Sequence, residues 1–137
     1  NVLFFLLWNA TQRRALSQQD VAAIENAVGP WRDGMVAPLR GVRRALKTPP
    51  RAFSPEAAES LRNRVKSVEL EAERLQQEAL YRLSQAGPLG VDAESPVAAA
   101  RMSVASYQTL LKPMPAPAIE TVLTAFAAFK ANSPHEA

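Results

Sequence analysis

The sequence lacks most of the side chains that carry catalysis and metal binding. It contains no cysteine, five glycines and one histidine, His135, among its last three residues. Zinc sites draw on cysteine and histidine, and a serine or cysteine nucleophile normally needs an imidazole as its base. No G-x-x-x-x-G-K-[ST] loop and no G-x-G-x-x-G fingerprint occurs. We therefore expect no catalytic residue, no metal site and no cofactor, and only carboxylate chemistry stays open for an enzyme.

Long hydrophobic runs are also missing. The longest apolar run, Val2–Trp8, is far shorter than the ~20 residues that a membrane-spanning helix requires. No basic region precedes it, as a signal peptide would demand. The absence of cysteine fits a reducing compartment. These features predict a soluble, cytoplasmic protein without a membrane span.

Helical signals recur along the chain, whereas strand signals do not. Apolar residues return every three or four positions, which is typical of amphipathic helices. The pattern predicts an all-α fold, a bundle of about five helices in one domain over 1–131. A flexible tail is expected over 132–137, with His135 as a solvated side chain. The chain opens at Asn1 within an apolar helix that has no N-cap, so we also expect a further helix upstream.

The first two helices have irregular features. The first is expected over 2–15, and Ser17–Asp20 resembles a capping box that opens the second. Each proline removes a backbone donor and collides with the carbonyl four residues earlier. We therefore expect a break near Gly29–Pro30 and a kink near Pro38.

The longest helix is expected over about 54–86. Ser54 and Pro55 supply an N-cap and a first-turn proline, and Gly87–Pro88 supply a glycine C-cap and a breaker. Its apolar positions keep a near-heptad spacing and include Val68, Ala72, Leu75, Ala79 and Leu83. Four shorter helices cannot easily cover a rod of this length. We therefore predict a homodimer in which the exposed part of this helix pairs with its symmetry mate.

Charge is distributed unevenly. Residues 1–55 hold eight Arg or Lys and three acids, whereas residues 56–94 hold five Arg or Lys and eight acids. The cations near the end of the second helix form what we call the basic stripe, and its members are Arg40, Arg43, Arg44, Lys47 and Arg51. Such a stripe can bind an acidic protein. It can also simply complement the helix dipole and keep the surface hydrated. Nucleic acid is disfavoured because no aromatics alternate with the cations and no helix-turn-helix signature is present.

A flank of the same helix is nearly bare of side chains. Gly34, Pro38, Gly41 and Ala45 recur at spacings of three or four residues. Such a flank permits close approach of another helix, and the alternative is the wall of an apolar pocket. The residues expected to line that pocket are Trp8, Trp31, Gly34, Met35, Pro38 and Gly41.

Two segments resemble a known family. The apolar start Asn1–Trp8 and the segment Trp31–Lys47, W-R-D-G-M-V-A-P-L-R-G-V-R-R-A-L-K, are similar to a small proteobacterial family of uncharacterised helical proteins. Its members typically read N-L-L-L-F-x-x-W and W-R-x-x-V-x-P-L-R-x-x-R-R-x-L-K. The resemblance implies a helical fold, a bacterial cytoplasmic setting and an additional N-terminal helix. It transfers no catalytic residue.

Two functional hypotheses follow from these features. The first is a protein–protein interaction or adaptor module that presents the basic stripe or the long helix to a partner. The second is a small-molecule binder or carboxylate-dependent enzyme with a cleft near Trp31 and Gly34. The charged surface without recognisable reaction chemistry favours the first.

Overall fold

A computed structural model describes residues 2–110 and 114–133 and shows an all-α protein. The elements are α1 (Val2–Thr11), β1 (Arg14–Ala15), α2 (Gln18–Trp31), a π-helical segment (Arg32–Val36), α3 (Ala37–Ala45), α4 (Pro55–Gln85), β2 (Val91–Asp92), α5 (Pro96–Leu110) and α6 (Ala116–Asn132). The described residues thus hold five helical stretches, if α2 to α3 counts as one, and α4 is the long helix predicted over about 54–86. None of the described helices is long and apolar enough to cross a membrane.

The chain divides into two compact units, residues 1–25 with 84–137 and residues 26–83. In the first unit, α1 packs mainly on α5, and α5 also contacts α6 and β1. Its core is rich in alanine and is completed by Val104, Leu123 and Phe126, with Leu3 and Leu7 packed at its edge. Small side chains at the helix contacts allow the helix backbones to approach closely.

A short antiparallel pairing joins the chain after α1 to the loop after α4. Arg14 pairs with Asp92, and Ala15 pairs with Val91. The Arg14 guanidinium donates to the Leu89 carbonyl at 2.9 Å, to the Gly90 carbonyl and to the Asp92 carboxylate at 2.8 Å. This side chain therefore fixes the loop and the strand together.

The helix caps follow the sequence prediction. The Ser17 Oγ accepts the Asp20 N–H at 3.2 Å, and the Asp20 carboxylate accepts the Ser17 N–H at 2.8 Å, which is a reciprocal capping box. Ser54 and Ser95 accept N–H groups three residues further on, at the starts of α4 and α5. The expected starts of α2 and α4 are confirmed.

Other expectations about the first helices are wrong. The helix predicted over 2–15 ends at Thr11, because Arg13 takes a φ of 60° and the chain then enters β1. A two-residue strand has no periodicity that a sequence could reveal. The break expected at Gly29–Pro30 is also absent, since Pro30 lies inside α2. The tail residue His135 lies outside the described residues.

Pro38 coincides with a change in helix type. Immediately before α3, residues 32–36 form a π-helical segment, in which the Ala37 N–H donates to the Arg32 carbonyl five residues earlier. Proline has no N–H for the carbonyl four residues back and its ring crowds that carbonyl. A wider turn relieves this crowding, so the helix continues from Gln18 to Ala45. π-Helical turns are rare and are frequent at functional sites.

Candidate interaction surface

Residues 26–83 form an antiparallel pair of helices. The antiparallel direction follows from the side-chain contacts between the two helices. The Trp31 indole N–H donates to the Ala72 carbonyl at 2.9 Å, and Arg40 and Arg43 reach Glu69 and Glu73. As the chain runs from Trp31 to Arg43, the residues that it contacts on α4 therefore lie closer to the start of α4.

An ion-pair cluster holds α3 against α4. The Glu69 carboxylate, 5% exposed, accepts Arg40 Nε at 3.1 Å and is also bonded by Arg43 Nε. Arg40 Nη2 donates to Glu73 Oε1 at 2.6 Å. The two arginines are one turn apart on α3, and the two glutamates are one turn apart on α4, so all four side chains meet at one level. We call these four residues the charge cluster.

The ion pairs shift the pKa values of Glu69, Arg40 and Arg43. The hydrogen bond from Arg43 lowers the pKa of Glu69, with a further contribution from Arg40, although burial opposes the shift. Hydrogen bonds donated to Glu69, and for Arg40 also to Glu73, raise the pKa of both guanidinium groups. Each of these shifts favours the ionised form of the group.

The basic stripe is consequently divided. Arg40 and Arg43 belong to the charge cluster, where their charges are neutralised within the chain. Across residues 2–110 and 114–133, no carboxylate pairs with Arg44, Lys47 or Arg51, and all three are exposed. Only the last three residues of the stripe therefore present charge to solvent.

The residues predicted to line a pocket are spread over both compact units. Trp8 lies in the first unit, where its ring stacks on Phe5 with centroids 5.9 Å apart. Trp31, in the second unit, donates its indole N–H to the Ala72 carbonyl. Both are partly exposed, at 42% and 36%. The prediction of a pocket lined by these residues stays untested.

Among the described residues, no atom outside their own helix lies close to the glycines of the nearly bare flank. A Cβ added at Gly34 or Gly41 would meet nothing within 4 Å, and Met35 is 48% exposed. The expectation that these glycines pack directly on another helix is therefore wrong. Pro38 is also exposed on this helix. The glycines border open space, and the packed face of the helix is the one that carries Val36, Arg40 and Arg43.

Instead, α4 exposes an apolar stripe of its own. Leu61, Val68 and Leu75 lie seven residues apart and are 45%, 54% and 40% exposed. The buried face of α4 is offset around the helix axis and holds Ala58, Glu69, Ala72, Gln76 and Leu80. Two polar residues and two alanines occupy much of that face, so the larger aliphatic side chains remain outside it. We call Leu61, Val68 and Leu75 the α4 stripe.

Two apolar cavities open in the same unit. One has a volume of about 240 Å³ and lies between Ala27–Val28 and the segment Leu75–Leu83. The other has a volume of about 380 Å³ and lies where the chain turns from α3 into α4. Its lining residues are Ala45, Leu46, Pro49, Pro50, Phe53, Ser54, Ala57, Ala58 and Leu61. We call it the turn cavity.

Several features of this surface were not predicted from the sequence. Glu69 and Glu73 were not expected to pair with the basic stripe. Both pairs of residues are about one helical turn apart, Glu69 and Glu73 on α4 and Arg40 and Arg43 on α3, and this common spacing could have indicated the ion pairs. The turn cavity had no signal, because Thr48–Phe53 was interpreted only as a helix stop. Within the described residues, no cluster of His, Cys, Asp or Glu could hold a metal ion.

Fold and surface together define an all-α protein whose described part presents apolar and cationic surface. The chain belongs to a family described as a protein of unknown function, DUF2390, whose match covers residues 1–80. That range includes the charge cluster, the turn cavity and the whole α4 stripe. No curated protein and no solved structure matches the chain.

Proposed function

We propose that this protein is a protein–protein interaction module and that its contact surface is the α4 stripe. The observation that supports the proposal is the exposure of three large aliphatic side chains in one line. Single exposed apolar residues are ordinary, whereas an aligned set on a helix is typical of a contact surface. The stripe extends over about 21 Å of a helix that is itself about 46 Å long at 1.5 Å per residue.

The occupant that we propose for the stripe is a second copy of the chain. An antiparallel pairing with a two-fold axis near Val68 would place Arg64 of one copy opposite Glu71 of the other, twice. Arg64 and Glu71 are both exposed and both lie beside the stripe on α4. Isologous contacts repeat each such pair by symmetry, so the charges complement the apolar contact. A second copy therefore fits this surface both in its apolar part and in its charge.

Light scattering on the full-length protein tests this proposal. We expect a dimer at roughly 50 µM, where association of micromolar strength is nearly complete. The Val68→Glu/Leu75→Glu variant is expected to be monomeric, because it places charges in an apolar contact. Leu70→Glu is the matched control, since Leu70 is 56% exposed but lies about 180° around the helix from Leu61.

The proposed Arg64–Glu71 pairs across the two-fold axis allow a second test. Arg64→Glu is expected to weaken the dimer, and adding Glu71→Arg is expected to restore it, because the two changes exchange the charges across the two-fold axis. A monomer at every concentration, or equal loss of the dimer in Leu70→Glu, would refute the antiparallel α4 contact.

The unpaired part of the basic stripe supports an acidic protein partner as a further contact. Arg44, Lys47 and Arg51 are exposed, and none of them forms an ion pair with a carboxylate in the part of the chain that the structure describes. We expect a labelled oligoglutamate peptide to bind, and reversing Arg44 and Lys47 to glutamate to weaken it about tenfold without changing the melting temperature. Fluorescence anisotropy measures the affinity. The same reversal at Lys66 and Arg101, two exposed cations outside both proposed contacts, is the control, and equal weakening in both variants would leave only a general charge effect.

A further inference from the structure

The turn cavity has an almost entirely apolar lining. Of its nine lining residues, only Ser54 has a polar side chain. Its hydroxyl is already engaged, because it donates to the Glu56 carboxylate at 2.8 Å and accepts the Ala57 N–H at 3.2 Å. Nothing in the lining is therefore left to bind a polar group, and any part of a ligand that enters must be apolar.

The turn cavity is larger than the other cavity of this unit. Small-molecule sites usually measure about 300–1,000 Å³. The turn cavity, at about 380 Å³, falls in this range, whereas the cavity beside Leu75–Leu83 is smaller, at about 240 Å³. Phe53 and Leu61, at 64% and 45% exposure, extend the apolar lining out to the surface.

The chain segment that leads from α3 to the start of α4 carries charges of one sign. The segment 34–55 contains no acid and five Arg or Lys. Lys47 follows the lining residue Leu46, and Arg51 follows the lining residue Pro50, so both exposed cations are next to lining residues in the chain. The two acids that begin α4 are engaged, since Glu56 accepts the Ser54 hydroxyl and Glu59 accepts Arg62 Nη1 at 2.9 Å. An anionic group at the rim would meet unpaired cations there.

We propose that the turn cavity binds an unbranched aliphatic carboxylate, with the alkyl chain in the cavity and the carboxylate at Lys47 and Arg51. An alkyl chain suits this lining better than a peptide segment does. A peptide that entered the cavity would bring N–H and C=O groups that the lining cannot satisfy. The cations at the rim then select an anionic head group over a neutral or cationic one.

Calorimetric titration of the full-length protein with dodecanoate, below its micelle concentration, tests the proposal. We expect saturable binding of one equivalent per chain, and much weaker binding of dodecanol and of dodecyltrimethylammonium. Lys47→Glu/Arg51→Glu is expected to weaken dodecanoate about tenfold and to leave dodecanol unchanged. Lys66→Glu, an exposed cation of α4 outside the lining, is the matched control.

A cavity-filling variant tests the location of the alkyl chain. Ala57→Phe adds a ring to the lining and is expected to abolish binding, with far-ultraviolet circular dichroism and the melting temperature showing that the fold is kept. The Val68→Glu/Leu75→Glu variant should still bind dodecanoate, because Leu61 is the one residue of the α4 stripe that also lines the turn cavity. Equal binding of the three amphiphiles, or unchanged binding in Ala57→Phe, would overturn the proposal. Binding of the acidic peptide alone at Lys47 and Arg51 would assign these cations to a protein partner instead.

Discussion

Replacing Glu69 by alanine is expected to destabilise the protein by about 2 to 3 kcal/mol. The carboxylate is almost fully buried and receives hydrogen bonds from both Arg40 and Arg43. Removing one partner of a buried ion pair leaves the other charges without compensation. Arg40 and Arg43 are 39% and 22% exposed, so they regain some hydration, and we expect a loss somewhat below the usual range of about 3 to 5 kcal/mol. Urea unfolding measures the difference.

Glu59→Ala is the matched control for this prediction. Glu59 lies on the same helix and pairs with Arg62 at 2.9 Å, but its side chain is 55% exposed. An exposed pair three residues apart contributes only about 0.2 to 0.5 kcal/mol. Equal losses in the two variants would show that the charge cluster adds nothing beyond an ordinary surface pair.

The same cluster predicts a dependence of stability on pH. Because the pKa of Glu69 is lower in the folded protein than its ordinary value of 4.5, the folded state binds fewer protons there than the unfolded state does. Its contribution is complete above pH 4.5 and is lost as the pH falls from there through the folded pKa. We expect the free-energy difference between wild type and Glu69→Gln to shrink between pH 5 and pH 3. Other carboxylates cancel in this comparison, and a constant difference would contradict the assigned pKa shift.

Replacing Gly90 by alanine is expected to destabilise the first unit by about 2 to 4 kcal/mol. Gly90 has a φ of +69°, which residues with a Cβ rarely adopt. An added Cβ would also press against the Ala15 carbonyl oxygen and lie 2.9 Å from its carbonyl carbon. The obstacle is backbone, held in the pairing of β1 with β2, so it cannot move aside as a flexible side chain would. Thermal and urea unfolding report the loss.

Gly87→Ala provides the comparison. Gly87 lies in the same connection, three residues earlier, and a Cβ there would meet nothing within 4 Å. Its φ is outside the left-handed region, so alanine is compatible with the backbone. We expect a change within about 0.5 kcal/mol. A Gly90→Ala variant as stable as Gly87→Ala would disprove the close approach of Gly90 to β1.

The expectation that Gly87 caps α4 as a left-handed glycine is wrong, and the reason is local. Gly87 precedes Pro88, and a residue before proline is displaced toward extended conformations by the proline ring. The left-handed glycine is Gly90, which is required by a contact with Ala15, seventy-five residues away in sequence. Composition around Gly90 gives no sign of that contact.

What the sequence determined by itself is the set of local features. The starts of α2, α4 and α5 depend on serine caps within three residues, and the all-α class depends on a period of three to four residues. These interactions are local, so their residue spacing is visible in the chain. The pairs Glu71–Arg74 and Glu78–Arg82 on α4 have the same local character, because their partners lie three and four residues apart on one helix.

The tertiary structure alone decided which charges remain available and which apolar residues remain exposed. Arg40 and Arg43 belong to the same sequence stripe as Arg44 and Lys47, but only the approach of α4 places Glu69 against the first two. Likewise Val68 and Leu75 belong to the same near-heptad series as Ala72, yet Ala72 is buried while they are not. A helix has one rotational setting against its neighbour, and that setting is fixed by packing along the whole contact. Periodicity defines the stripe, whereas the rotation of α4 decides which part of it reaches solvent.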